Sequence, residues 1–390
     1  RGIKILAVFF LAVWLWGTGT VCCYGSTEKS QDKEQSTDQT DPEAAEGMLE
    51  EIEFGEIQKM VDELLGEQSF SLKEAVINMI NGEEPISKEA VRGVLYSFFF
   101  SGLENEKTLF FRLLLLVLLA AVLAGFVDVF ENGQIGAVSF YVVYLVLFMM
   151  LMEAFGRLSS TLTVRLNWLG EFMKTLAPAY FLAVSTANGV STAAVFYEGV
   201  LLLVWMIQWV LVNFLLPGVN LCILLKMVNY LSKEEMLSKM SELLEVVISW
   251  ALKTLIGLAV GLQVVKNLVA PVMDSLKRTA VGKTAGAIPG IGNAVNAITQ
   301  LILTSAVLVR NSFGAVILVL IAAAGLQPLI HYGALSLSYR FLAALAQPVS
   351  DKRIVGALST MGEGCAWLLK LLLTAQILCM LAFLVLMAGG

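Results

Sequence analysis

Residues 277–298 read KRTAVGKTAGAIPGIGNAVNAI, and the fold turns on what they are. Gly282-Lys283-Thr284 has the look of a phosphate loop, and Gly290-Ile291-Gly292 that of a dinucleotide turn. Either would make this an α/β nucleotide binder. A phosphate loop needs a glycine five residues before Gly282, so that successive backbone N–H groups wrap the phosphates, and position 277 is Lys. The dinucleotide turn needs a third glycine at 295, which is Val, and a strand ahead of it in a βαβ unit. What precedes is ISWALKTLIGLAVGLQVV at residues 248–265, a long apolar run. Both spacings fail, so no nucleotide, and no other cofactor, is expected.

Outward from that stretch the chain is apolar. Of its 390 residues 57% are hydrophobic and 15% charged, with mean hydropathy +0.78; a soluble chain carries about 25% charge. The charge that exists is concentrated in residues 26–107. Apolar runs follow at 109–127, 137–152, 195–216, 218–230, 243–265, 298–326, 329–346 and 365–388. Most approach the roughly 20 residues that a helix needs to cross a bilayer. The expected fold is all-α: a polytopic membrane domain, 108–390, of about eight transmembrane helices.

The N-terminus reads as a signal peptide over 1–25. Arg1 and Lys4 supply the basic end, ILAVFFLAVWLW the apolar core, and GTGTVCCYG the small residues. A permanent signal anchor is the alternative. Residues 26–47 are polar and acidic and cannot bury a core, so a disordered linker is expected. Residues 48–107 regain helical spacing in MLEEIEFGEIQKMVDELL and in PISKEAVRGVLYSFFFSGL. Ser71, three before Glu74, forms a capping box for LKEAVINMI. This exported helical segment is either a cap on the membrane domain or a docking surface for other exported proteins.

Cysteines and histidine exclude several chemistries. Cys22 and Cys23 sit in the signal, and Cys222, Cys365 and Cys379 fall in or beside apolar runs, none at metal-ligand spacing. The sole histidine, His331, rules out multi-histidine metal sites and makes histidine-based catalysis a poor candidate. No nucleophile–base pair is apparent. The chain is not expected to be an enzyme, and neither a metal site nor a nucleic-acid partner is expected.

The membrane domain contains a duplication, with units at about 170–265 and 266–390. LAPAY at Leu176 matches VAPVM at Val269. A run then ends at Pro217 in one unit and at Pro328 in the other. Charged turns follow, LSKEE and VSDKR. The signatures LSKMSE from Leu237 and LSTMGE from Leu358 come next, before helices carrying WALK and WLLK. Three spans per unit, an odd number, would turn consecutive copies upside down, which is the inverted repeat of many transporters. With the N-terminal segment outside, residues 153–194 come out external, 266–297 cytoplasmic and the C-terminus external. Lys and Arg are balanced across the two sides, so the positive-inside rule does not test this topology.

The opening stretch then reads as a re-entrant or interfacial segment at the repeat boundary, with Pro271 and Pro289 interrupting helix; an ordinary cytoplasmic loop is the alternative. Arg310 and Asn311 interrupt the run 298–326. If that run is one helix, Arg310 lies near mid-membrane and needs a partner or water; otherwise Arg-Asn marks a hairpin turn. Lys253 and Lys370 also fall within apolar runs, either snorkelling to the interface or facing a cavity. Asp274 and Glu363 are candidate partners at the ends of spans, and no relay of acidic residues crosses the membrane.

From Val265 onward the chain resembles the stage III sporulation protein AE family. The resemblance rests on NLVAPVMDSLKRTAVGKTAGAIPGIGNAVNAI, LVRNSFGAV and LAQPVSDKRIVGALSTMGEG. Matching residues are Pro271, Asp274, Lys277, Arg278, Pro289, Arg310, Asn311, Gln347, Pro348, Asp351, Lys352 and Arg353, taken as pathway or packing candidates because the family has no assigned catalytic residues. The resemblance implies a multi-pass protein of the mother-cell membrane around the engulfed forespore. It implies as partners the other membrane and exported proteins of the same operon and a forespore-side channel protein, with a cytoplasmic ATPase as candidate energy source and membrane lipid around the spans. Together these form a transenvelope, feeding-tube-like channel that sustains forespore development. This chain would be its permease-like base. A stand-alone secondary transporter of a small metabolite, or a scaffold subunit with no pathway of its own, are the alternatives.

Overall fold

The computed structural model describes residues 54–65, 71–81, 111, 114, 115, 118, 133–188, 190–231, 237–285, 292–348 and 350–388. They are helical, with no strand among them. We number the helices α1 (Gly55–Leu65), α2 (Leu72–Ile80), α3 (Gly133–Asn188), α4 (Val190–Val210, a π-helical turn Leu211–Leu215, and Leu216–Asn229), α5 (Ser238–Ala285), α6 (Gly292–Ala346) and α7 (Lys352–Ala388). Five are long and apolar enough to cross a membrane: α3 over Tyr141–Phe181, α4 over Glu198–Asn229, α5 over Ser238–Gly261, α6 over Thr304–Ala346 and α7 over Lys352–Met387.

The short helices follow their sequence signals. Ser71 Oγ accepts from Glu74 N at 3.3 Å, capping α2. Gln58 Oε1 accepts from Leu72 N at 2.8 Å and ties α1 to α2. The apolar stripe of α2 (Leu72, Val76, Ile80) is buried, with α2 packed on α6 and α1 on α3. Phe54 meets Phe313 edge-on at 5.5 Å. The amphipathic stretch from Pro85, the signal and the polar linker lie outside the described residues.

The long helices depart from the sequence reading at their prolines. Runs 195–216 and 218–230 form one helix, and so do 298–326 and 329–346, with Pro328 inside α6. Proline removes an N–H and crowds the carbonyl four residues back, which ends a helix only if nothing compensates. In α4 the π turn compensates: Leu216 N–H bonds Leu211 O just ahead of Pro217. In α6 the proline is enclosed by packed neighbours. Helix α5 likewise runs unbroken past Pro271, and α6 continues through Arg310-Asn311, so neither is a break or a hairpin.

This overturns the inverted repeat. Each unit contributes two long helices after its Ala-Pro segment, α4–α5 and α6–α7, not three. An even number restores direction. Helix α6 runs antiparallel to α7: Ser336 Oγ donates to Gly362 O at 2.7 Å, and Gln376 Nε2 donates to Ile321 O. Helix α4 is also antiparallel to α7, since Tyr230 lies against Gly356 and Ile223 against Gly364. Helices α4 and α6 therefore point the same way, so the two stretches that carry the matched motifs are not inverted relative to one another.

Helix α7 is the centre of the bundle. It packs on α3, α4, α5 and α6, and 56% of its span is buried against 22% for α5. Helix α3 lies antiparallel to both α4 and α6. Tyr144 donates to Met227 O at 2.5 Å and Gln208 Nε2 to Asn167 Oδ1 at 3.2 Å, while Tyr332 donates to Leu158 O at 2.9 Å. Residues 153–181 of α3 thus lie alongside the most apolar parts of α4, α6 and α7 and do not form an external loop.

Candidate functional site

At one end of the bundle three helices meet around a single ammonium. Lys226, in the last turn of its helix, approaches Glu245 Oε1 of α5 at 2.5 Å and donates to Glu363 Oε2 of α7 at 2.8 Å. The local sequence explains the meeting. Asn229 Oδ1 accepts from Leu237 N at 3.1 Å, closing the turn so that α5 returns along α4. Cys222 Sγ donates to Ser241 O at 3.5 Å, pinning the two. A helical lysine leans toward its own N-terminus, which carries the Nζ of Lys226 toward Glu245.

Glu363 is positioned by the glycines on either side of it. A Cβ at Gly362 would lie 2.8 Å from Arg340 Cγ and 3.1 Å from Ser336 O; one at Gly364 would lie 2.7 Å from Phe155 Cε2. The α7 backbone therefore touches α6 on one side and α3 on the other, and Glu363 is the one long side chain between them. Side-chain exposure is 22% for Lys226, 29% for Glu245 and 41% for Glu363, so the junction is sheltered yet open to small ions. The ammonium of Lys370 and the guanidinium of Arg340 stand near the same two carboxylates, so the cluster carries no excess of negative charge. Lys370, on the same helix as Glu363, places its ammonium 3.9 Å over the Trp367 ring. The junction can hold the helices together electrostatically. Among the described residues no group of His, Cys, Asp and Glu is assembled that could hold a metal ion.

The residues singled out in the sequence scatter. Gln347 and Pro348 lie exposed in the α6–α7 turn. Asp351 caps α7: its Oδ1 accepts from Arg353 N at 2.8 Å and faces Arg353 Nε at 3.4 Å, while Lys352 is exposed. Arg310 is at the other end. Gly314, one turn later, abuts Met387, so Arg310 stands level with the last turn of α7 and not at mid-span. Its Nε and Nη2 face Asn311 Oδ1 at 3.4 Å, and Glu363 pairs with Lys226 instead. Asp274, Lys277 and Arg278 fall on α5 with Pro271, but their side chains, like all of Pro289, lie outside the described residues. Sequence reasoning missed Lys226 and Glu245. The available signal was a lone lysine closing the apolar run 218–230.

These placements give physical roles to motifs that the resemblance rested on: QPVSDKR is a turn and helix cap, and GEG is a close helix crossing. A family model for stage III sporulation protein AE matches residues 70–390. The chain belongs to that family. The match begins beside Ser71, the cap of α2, and takes in all five long helices. A similar curated protein, stage III sporulation protein AE of Bacillus subtilis (strain 168), is 22% identical over 368 residues, covering 94% of this chain and 92% of the relative. No solved structure matches.

Proposed function

We propose that the chain is a multi-pass membrane subunit of a sporulation channel complex joining mother cell and forespore, with a permease-like role and its N-terminal segment on the outer face. The observation that carries this reading is membership of the sporulation family over residues 70–390, supported by five helices that suit a bilayer. The Lys226–Glu245–Glu363 junction gives the permease reading a physical element that a passive scaffold does not need. It is a sheltered ionic contact between the α4–α5 hairpin and α7 that can break and re-form as the helices shift. Partners are the other products of the same operon, a forespore-side protein and a cytoplasmic ATPase as energy source.

The test is a late forespore transcription reporter in a spore former carrying this chain as its sole copy. Deleting the chain abolishes the signal and restoring it recovers it. Lys226→Met lowers the signal while the protein level and co-purification of exported partners stay intact. Undiminished reporter signal in the deletion removes the channel reading. Full signal with Lys226→Met leaves the scaffold alternative in its place.

A further inference from the structure

Charge sets a ruler along the bundle. Helix α4 has no charged residue between Glu198 and Lys226, about 42 Å at 1.5 Å per residue, and α6 has none between Arg310 and Arg340, about 45 Å. A bilayer with its headgroup regions measures about 40–45 Å. Within these limits α4 and α5 turn Leu202, Trp205, Trp209, Val246, Trp250 and Leu258 outward, as lipid requires.

Lys253 of α5 and Lys370 of α7 are single exposed charges within these limits, whereas helix α3 carries a stripe of them. Phe155 lies against Gly364 and Tyr180 stacks on Phe313 at 6.0 Å, so residues 155–180 occupy the same slab. Yet its outward face carries Arg157, Glu171 and Lys174 there, with Glu153 at its edge, all exposed. None of the four forms an ion pair with another described residue. Charges so placed are costly against lipid and mark a face turned to protein or water.

We infer that this face of α3 docks against the same face of a second copy of the chain, the two helices running parallel about a two-fold axis along the bundle. Opposite charges lie one turn apart at both ends of the stripe, Glu153 with Arg157 and Glu171 with Lys174. A two-fold axis makes each contact reciprocal: Glu153 of one copy meets Arg157 of the second, and Arg157 meets Glu153, with the same exchange at Glu171 and Lys174. An offset of one turn is about 6 Å along the axis, within reach of these long side chains. Gly156, within the first charged pair, and Ser160, just after it, both exposed and four residues apart, form the small-xxx-small spacing that lets transmembrane helices approach closely. A Cβ at Gly156 would meet nothing within 4 Å in the single chain, so the space is open for a neighbour. A parallel pair also keeps both copies inserted the same way. The inference rests on the membrane reading of the five helices.

The experiment uses the full-length chain in native membranes, with its own cysteines changed to Ser and single cysteines at Ser160→Cys or, as a lipid-facing control, Val246→Cys. Oxidation links Ser160→Cys into a species of twice the monomer mass and leaves Val246→Cys monomeric. Adding Arg157→Glu lowers linking about tenfold, two like-charge contacts replacing two pairs, and combining it with Glu153→Arg restores linking. Gly156→Leu suppresses linking with every charge intact. No doubled species from Ser160→Cys, an adduct with a different protein, or no rescue by the charge swap overturns the inference. If Val246→Cys reacts with a membrane-impermeant thiol reagent as fast as a loop cysteine, the membrane reading falls and takes the inference with it. A shielded Val246→Cys without a Ser160→Cys link removes the inference alone.

Discussion

Replacing Lys226 with Met tests the ionic junction directly. The substitution keeps the length of the side chain and removes only the charge. Two contacts disappear, at 2.5 and 2.8 Å, and two carboxylates remain facing each other. A unit-charge pair at about 4 Å contributes roughly 4 kcal/mol at an effective dielectric of 20. Part of that is offset by desolvation, and breaking a fully buried pair costs about 3–5 kcal/mol. These groups keep 22–41% exposure, so water stabilises the orphaned carboxylates and the expected loss is about 2 kcal/mol. Purified full-length protein in detergent would show a midpoint of thermal unfolding lowered by about 2–3 °C. The decisive measurement is the double-mutant cycle. Lys226→Met combined with Glu363→Gln should cost less than the sum of the two single changes, by about 1 kcal/mol, because removing the second carboxylate relieves its unpaired charge. Simple additivity within about 0.3 kcal/mol would refute the coupling, and the junction would then be an incidental surface contact.

Three further outcomes follow from packing and capping. Gly364→Ala drives a methyl into Phe155 and Ile223 and should destabilise the bundle by about 1–3 kcal/mol, measured by the same thermal melt; an unchanged melt would mean that α3 and α7 are not in contact there. Tyr180→Phe removes a buried hydroxyl that has no partner among the described residues, so stability should stay level or rise by up to about 1 kcal/mol, whereas a clear loss would reveal an acceptor for that hydroxyl. Ser71→Ala removes the cap of α2 and should cost about 1 kcal/mol, read as faster amide exchange confined to residues 72–76; uniform exchange changes across α3 and α6 would show that α2 is not an independent element.

The sequence by itself determined the class of the molecule. Long apolar runs point to helices that could cross a bilayer, because a backbone in lipid must satisfy its own hydrogen bonds. Local chemistry was legible as well: Ser71 caps the helix that its spacing announced. The order of the matched motifs could be read, but the relative direction of the two stretches that carry them could not. That direction hung on Pro217 and Pro328, since a helix that stops at proline makes each unit odd and one that continues makes it even. Tertiary structure decided it, through the π turn at Leu211–Leu215 and the packing around Pro328, because whether a carbonyl freed by proline finds another donor depends on what surrounds it. The ionic junction belongs to the same class. Lys226 and Glu363 are 137 residues apart, and their pairing is set by a glycine-lined helix crossing that no local pattern encodes. Periodicity and capping act over a few residues of one chain segment. Partners across a bundle are chosen by shape and charge once the helices have packed.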